Sequence, residues 1–328
     1  MKQTENNTQN KSVTENISVV IPLYNKIDFI SACVDSVLNQ THKPGEIIII
    51  DDGSTDGSGY FVQQHYGDKV RLIKQNNQGV SVARNTGIDS AQCEYVALLD
   101  ADDQWNKNFL NKISQLIMDF SDCDVFATAY QLIYPEQTKT PDFHNLTDSF
   151  NGKITNYFKH SMNDWSILTS SSTVIRKSTL LKVGKFKPNL RLGEDTDLWC
   201  RLALNAKIAF SNQALSKYFC FNQSSVTKTI IPDDELEYSK FLTEMLQKDK
   251  IPLEMINDVK RFISKGLQYL VREQAKSGNY RFVTKFLKDK RLYNYIGIST
   301  FKMLLAIITP RPAYEFVKTS LANFKNNN

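Results

Sequence analysis

The chain has 328 residues, 41% of them hydrophobic and 23% charged, which describes a globular protein large enough for one sizeable domain with an appendage and excludes collagen-like, fully disordered and small disulfide-stapled classes. Its formal charge of +5 joins two unlike parts: residues 246–328 hold 16 Lys and Arg against 6 Asp and Glu, and residues 1–245 hold 24 against 29. The asymmetry predicts an acidic catalytic or binding body carrying a basic region suited to nucleic acid or an anionic membrane. The first sixteen residues, MKQTENNTQNKSVTEN, are polar, lack the apolar core of a signal peptide and read as a disordered tail. From Ile17 the run ISVVIPLYN predicts a buried strand, Lys26 to Gln40 a helix with Ile27, Ile30, Val34, Val37 and Leu38 at helical spacing, and EIIII at 46–50 a second strand. A continuous Ile run suits a parallel strand covered on both faces, so this is a βαβ unit. The pattern continues with a helix around Gly59–Tyr66, a strand at Val70–Lys74, a helix from Val80 to Ala91, a strand at Tyr95–Leu99 and a helix at Asn108–Asp119. An apolar stretch at Asp124–Ile133, a loop-rich section around Pro135–Gly152 and a strand at Ser172–Ile175 follow, and charged, Leu-, Ile- and Phe-bearing helices take over beyond Pro232. The predicted class is α/β with a mainly parallel central sheet over 17–230 and a basic, mainly helical region over 231–328.

In open parallel sheets ligands bind at the carboxyl ends of strands. Here those positions carry Pro22-Leu23-Tyr24-Asn25, Asp51-Asp52-Gly53-Ser54, Gln75 to Gln78, and Asp100-Ala101-Asp102-Asp103. Either Asp cluster alone reads equally well as a polar turn and helix cap. Together at one sheet edge they repel unless a cation or hydrogen-bond donors offset them, and an Asp-x-Asp after a buried strand suits a hard divalent cation that bridges substrate phosphates. The five cysteines, Cys33, Cys93, Cys123, Cys200 and Cys220, contain no C-x-x-C pair. They predict neither a zinc knuckle nor a disulfide framework, and point to a reducing cytoplasm.

ISVVIPLYNK at 17–26, SVLNQTHKPGEIIIIDDGSTDGS at 36–58, QNNQGVSVARNTGIDSA at 75–91, YVALLDADD at 95–103 and LGEDTDLWCRL at 192–202 occur together and in order. In these motifs the chain resembles the family 2 glycosyltransferases of the GT-A fold, over roughly residues 17–225. The resemblance implies an inverting transferase that uses a nucleotide-sugar, a UDP-sugar in this reading, and a divalent cation, Mn²⁺ or Mg²⁺. It places Pro22 and Tyr24 against the nucleotide base, Asp52 on the pyrimidine, Arg84 near the diphosphate, Asp100 near the ribose and Asp102 on the metal. It makes Asp195, of the Glu194-Asp195 pair, the general base, and Arg201, the basic residue that follows it, a contact of the nucleotide-sugar. The same residues also have plainer readings: Tyr24 as a cover for the sheet end, Arg84 as a helix charge paired with Asp89, and Asp195 as a helix cap. Asp197 is the internal rival for the base. Trp105 and Trp165 are left unassigned, and His42, His65, His144 and His160 read as surface residues.

A rival enzyme class, a sugar-1-phosphate nucleotidyltransferase, needs a Gly-rich phosphate loop after the first strand, where PLYNK stands instead. A noncatalytic membrane adaptor of the same fold is the other alternative, and the intact acids argue against it. In the basic region, segments such as RFISKGLQYLVREQ and RFVTKFLKDKRLYNYI read as amphipathic helices, packed on a protein core or touching an anionic bilayer surface. FKMLLAIITP is too short to span a membrane. The expected partners are a nucleotide-sugar, a glycan or lipid-linked saccharide and an anionic membrane surface; no module for nucleic acid is present.

Overall fold

The computed structural model describes residues 13, 16–143, 146–162, 165–220 and 231–294. Most of the predicted polar tail and the apolar stretch from residue 295 lie outside the described residues. In chain order the elements are β1 (Ile17–Leu23), α1 (Ile27–Leu38), β2 (Glu46–Asp51), α2 (Ser58–Tyr66), β3 (Arg71–Lys74), α3 (Val80–Ser90), β4 (Tyr95–Leu98), β5 (Gln104–Trp105), α4 (Phe109–Asp119), β6 (Val125–Ile133), β7 (Thr138–Lys139), β8 (Asn151–Ile154), α5 (Tyr157–His160), β9 (Thr173–Arg176), α6 (Lys177–Val183), α7 (Glu194–Asn205), β10 (Ile208–Phe219), α8 (Glu237–Gln247), α9 (Ile256–Lys276) and α10 (Tyr280–Phe286).

The chain divides into two compact units, Met1–Asn189 with Arg201–Asn222, and Leu190–Cys200 with Gln223–Asn328. The first unit holds one sheet in the order β3-β2-β1-β4-β9-β6-β10-β5, with β7 on β6 and β8 on β10. β3, β2, β1 and β4 are mutually parallel, as the Ile-rich runs require. β9 then runs antiparallel between β4 and β6, and β10 runs parallel to β6. Val19, Val20 and Ile21 of β1 and Ile48, Ile49 and Ile50 of β2 are fully buried, as are Ile30, Cys33, Val34 and Val37 of α1. Close packing of α3 on the sheet depends on Gly87, because a Cβ there would run into the Val20 side chain.

In the second unit, α9 buries Val259, Ile263, Leu267, Leu270 and Val271 along one face, so its amphipathic pattern is used in packing against α8 and α10. Tyr238 of α8 is buried edge-on to Phe262, with ring centroids 5.6 Å apart, and Gly266 leaves room for its hydroxyl. Arg291 ties the unit together: its guanidinium donates to both Glu235 oxygens at 2.9 Å and to Asp289 Oδ2 at 2.6 Å. Among the described residues no helix is long and apolar enough to cross a membrane.

Candidate active site

Three parallel strands, β1, β2 and β4, bring their carboxyl ends to one edge of the first unit. Pro22 explains why the sheet opens there. The β1–β4 ladder ends where Leu99 N donates to Val20 O at 3.1 Å, and Pro22 has no amide to continue it, so the chain leaves β4 as the Asp100–Asp103 turn. On its other side Pro22 stays in register with Ile50 of β2. Tyr24, 47% exposed, stands at the rim. The loop after β1 is clipped to the loop after β2: Asn25 N donates to Ser54 Oγ at 3.2 Å, Thr55 N to Asn25 Oδ1 at 2.8 Å, and Ile27 N to Asp56 Oδ2 at 2.9 Å. Burial pushes the Asp56 carboxyl up, but hydrogen bonds from the Ser58 hydroxyl and amide and the Ile27 amide outweigh it and hold the carboxyl below its ordinary range.

The two acids of the second loop act on the backbone. Asp51 Oδ1 accepts from Ser54 N at 2.9 Å, and Gly59 is required beside it because a Cβ would collide with its carboxylate. Asp52, 2% exposed, accepts from Gln75 Nε2 at 2.7 Å, Gln78 N at 3.0 Å and Gly79 N at 2.8 Å. The last two amides immediately precede α3, so the Asp52 charge sits at that helix's positive end. Asp52 therefore organises the 75–79 loop, and Thr86 Oγ1 continues the chain of bonds to Gln75 Oε1 at 2.8 Å.

The acids after β4 have different partners. Arg84, 4% exposed, donates through one nitrogen to both oxygens of Asp100, at 2.8 and 3.1 Å, and lies 5.0 Å from the centre of the Phe186 ring. Asn85 fixes the Phe186 backbone through two hydrogen bonds of 2.8 and 3.0 Å. Asp89, the plainer partner for Arg84, instead pairs with Lys185 at 2.6 Å. Asp102 is 24% exposed and accepts from Lys26 Nζ at 2.8 Å. Asp103 is buried and accepts from Ser171 Oγ at 2.5 Å and Phe219 N at 3.1 Å. Burial first, then the charges of Asp102 and Asp100, push the Asp103 carboxyl well above the usual carboxylate range. Cys33 beneath the turn is raised by burial and the same acids, which makes it an unreactive thiol. None of the five cysteines is in a disulfide. Trp105 is packing: it stacks on Phe109 at 4.2 Å, and its Nε1 donates to Ser171 O at 2.7 Å.

Among the described residues no three His, Cys, Asp or Glu converge as a complete metal cage. Asp102, 24% exposed, and Asp100, 25% exposed, offer two accessible carboxylates that already attract cationic groups, a donor set that fits Mg²⁺ or Mn²⁺ taking its other ligands from phosphate and water.

In the second unit the Glu194-Asp195 motif opens α7. Asp195 is partly exposed, and its Oδ1 accepts from Thr196 N at 2.6 Å. Asp197 is 0% exposed, and its amide donates to Gly193 O at 2.9 Å. Arg201, counted with the first unit, donates to the carbonyls of Val183 and Lys185, both at 2.6 Å, where a cation complements the C-terminal end of α6. Sequence reasoning missed Lys26, Asp103 and Ser171. Lys26 stood in the PLYNK motif and Asp103 in DADD, whereas nothing local marks Ser171.

Glycosyl transferase family 2 matches residues 18–183. The putative teichuronic acid biosynthesis glycosyltransferase TuaG of Bacillus subtilis (strain 168) is 32% identical over 213 residues, 63% of this chain and 80% of that protein. Other curated relatives are longer: the match covers 34% of an uncharacterized glycosyltransferase from Rickettsia felis. Among solved structures, S. aureus TarS 1-349 has a TM-score of 0.63 at 18% identity, over 93% of this chain and 92% of that one. The same protein in complex with UDP-GlcNAc has a TM-score of 0.58. The mannosyltransferase PcManGT from Pyrobaculum calidifontis, in complex with GDP-Man and Mn²⁺, has a TM-score of 0.50 at 16% identity, over 94% of this chain and 79% of that one. At these identities the likeness shows the fold, which is GT-A with helices at its C-terminal end.

Proposed function

The chain belongs to glycosyl transferase family 2, and from that premise we propose that it transfers a sugar from a UDP-sugar to a hydroxyl of a growing glycan or lipid-linked saccharide, inverting the anomeric carbon. The observation that carries this reading is the convergence of Asp100, Asp102, Arg84 and Lys26 on one turn after β4. The UDP preference is supported by the UDP-GlcNAc complex of TarS, and a glycan acceptor by the teichuronic acid role in the name of the B. subtilis relative.

In the proposed mechanism Tyr24 offers an exposed ring to the base. Asp52 acts one step back, by holding the 75–79 loop, and Arg201 by holding the end of α6. Asp100, gripped by Arg84, takes a ribose hydroxyl. Asp102 would hold the divalent cation, Mn²⁺ or Mg²⁺, which would supply positive charge to offset that of the diphosphate leaving group. Asp195 removes the proton from the acceptor hydroxyl as the glycosidic bond forms; of the three acids in its helical turn, Asp195 and Glu194 are partly exposed and Asp197 is buried. The basic region 246–328 is proposed to bring the enzyme to an anionic membrane surface on the cytoplasmic side.

Titration calorimetry with UDP tests the site. Wild-type protein is expected to bind UDP more tightly with Mn²⁺ than without, and Asp102→Ala to lose that difference. An Asp102→Ala protein that keeps the metal dependence overturns the assignment.

A further inference from the structure

Three carboxylates within four residues repel one another, so the Asp100–Asp103 turn needs donors to fix its shape. Its own backbone supplies one, from Asp103 N to Asp100 O at 2.9 Å. Arg84 donates to the Asp100 carboxylate, Lys26 to that of Asp102 and Phe219 N to that of Asp103, and two further bonds, one at each end of the turn, converge on a single residue about 70 positions away in sequence. Ser171, 1% exposed, lies just before β9. Its hydroxyl accepts from Asp100 N at 3.1 Å and donates to Asp103 Oδ2 at 2.5 Å. Its carbonyl accepts from Trp105 Nε1 and from Ser216 Oγ, both at 2.7 Å.

We infer that Ser171 is the positioning residue of the D-x-D turn, an inference that rests on reading Asp100 and Asp102 as the donor-binding acids. One hydroxyl fixes the amide of the first acid and the carboxyl of the third, and the adjoining carbonyl fixes the aromatic ring that ends the turn. Asp102 lies between these anchored positions and keeps its carboxylate accessible, 24% exposed, while its neighbour Asp103 is buried. Ser171 thereby sets the direction in which Asp102 points without touching substrate itself. The segment that contributes it lies outside the strand ends that bear the acids.

The test is calorimetry of UDP with Mn²⁺ on the full chain, alongside thermal melts. Ser171→Ala is expected to weaken Mn²⁺-dependent UDP binding about tenfold, the scale of one lost buried hydrogen bond. Ser216→Ala removes a bond to the same carbonyl at an equally buried position but none to the acids, and is expected to stay within about twofold of wild type. Ser171→Cys preserves volume and supplies only a weak donor; it is expected to fall between, and it carries the test if Ser171→Ala does not fold. Wild-type affinity in a folded Ser171→Ala or Ser171→Cys protein overturns the inference, as does an equal loss in Ser216→Ala. Asp102→Ala is the control: if it leaves the Mn²⁺ dependence intact, the donor-site reading fails first and this inference with it.

Discussion

Asp195 and Asp197 sit two residues apart in the first turn of α7, yet only one has the surroundings of a base. Asp197 is sealed from solvent, whereas Asp195 is partly exposed and bonded to the neighbouring Thr196 amide. A general base must reach the proton it takes, so Asp195→Asn is expected to bind UDP and Mn²⁺ as wild type does and to lose transfer by about a hundredfold or more. Wild-type turnover in that variant moves the role to Glu194 or Asp197. Tyr24 allows a further prediction: replacing its exposed ring by Ala is expected to raise KM for the UDP-sugar at least about fivefold, with stability unchanged, since stacking on a base contributes about 1–3 kcal/mol. An unchanged KM returns Tyr24 to the role of a cover on the sheet. The acids after β2 and β4 were legible in the sequence as clusters because they directly follow apolar runs. What those residues touch was not. Asp52 bonds Gly79, Arg84 grips Asp100 and Asp103 meets Ser171, and each partner arrives through the fold, from 16 to 68 positions away.

At the scale of elements, the βαβ pattern was legible through α4 because parallel strands buried on both faces leave continuous apolar runs. β10 was not: its run IAFSNQALSKYF breaks alternation where its register on β6 shifts, between Ser211 and Ala214 and again between Ala214 and Ser216. Irregularities of this kind remove the period-2 signal while the strand continues. Packing of α3 on β1 gives a direct prediction. Gly87→Ala places a methyl group against Val20 and is expected to destabilise the first unit by about 1–3 kcal/mol, the usual cost of overpacking. Chemical denaturation checks it, and adding Val20→Ala is expected to recover part of the loss, because the two sites share one contact. In the second unit, hydrogen bonding to Arg291 holds the Asp289 carboxyl below its ordinary range. A depressed carboxyl contributes stability above its unfolded pKa, near 3.9, and loses it as pH falls through the folded value. Arg291→Gln is therefore expected to lower the melting temperature at neutral pH, with the gap to wild type closing in acid. A gap that does not change with pH assigns the loss to packing instead.

At the scale of the whole molecule, the charge asymmetry matches the two proposed tasks, donor binding and membrane contact. The acidic part contains the strand-end carboxylates, and the basic part follows residue 245. The sequence left two uses for the basic helices, core packing or membrane contact, and α9 spends its apolar face on the first. Lys260 and Arg261 of this helix are exposed, Arg272 and Lys276 pair with Glu273, and beyond it Tyr280, Lys285, Lys288, Lys290 and Tyr293 are exposed. Lys and Arg close to an anionic surface contribute about 1 kcal/mol each, and this attraction is screened within a Debye length of about 8–10 Å at physiological salt. Binding carried by these charges is therefore selective for anionic lipid and sensitive to salt. The full chain is expected to co-sediment with vesicles containing phosphatidylglycerol at low ionic strength, to be released by about 0.5 M NaCl, and not to bind phosphatidylcholine vesicles. Charge reversal of Lys285, Lys288 and Lys290 together is expected to weaken sedimentation while leaving UDP affinity unchanged, because the residues proposed to bind the donor are counted with the other unit. Equal binding to neutral and anionic vesicles, or none to either, removes the membrane role and leaves the basic helices as a solvated subdomain.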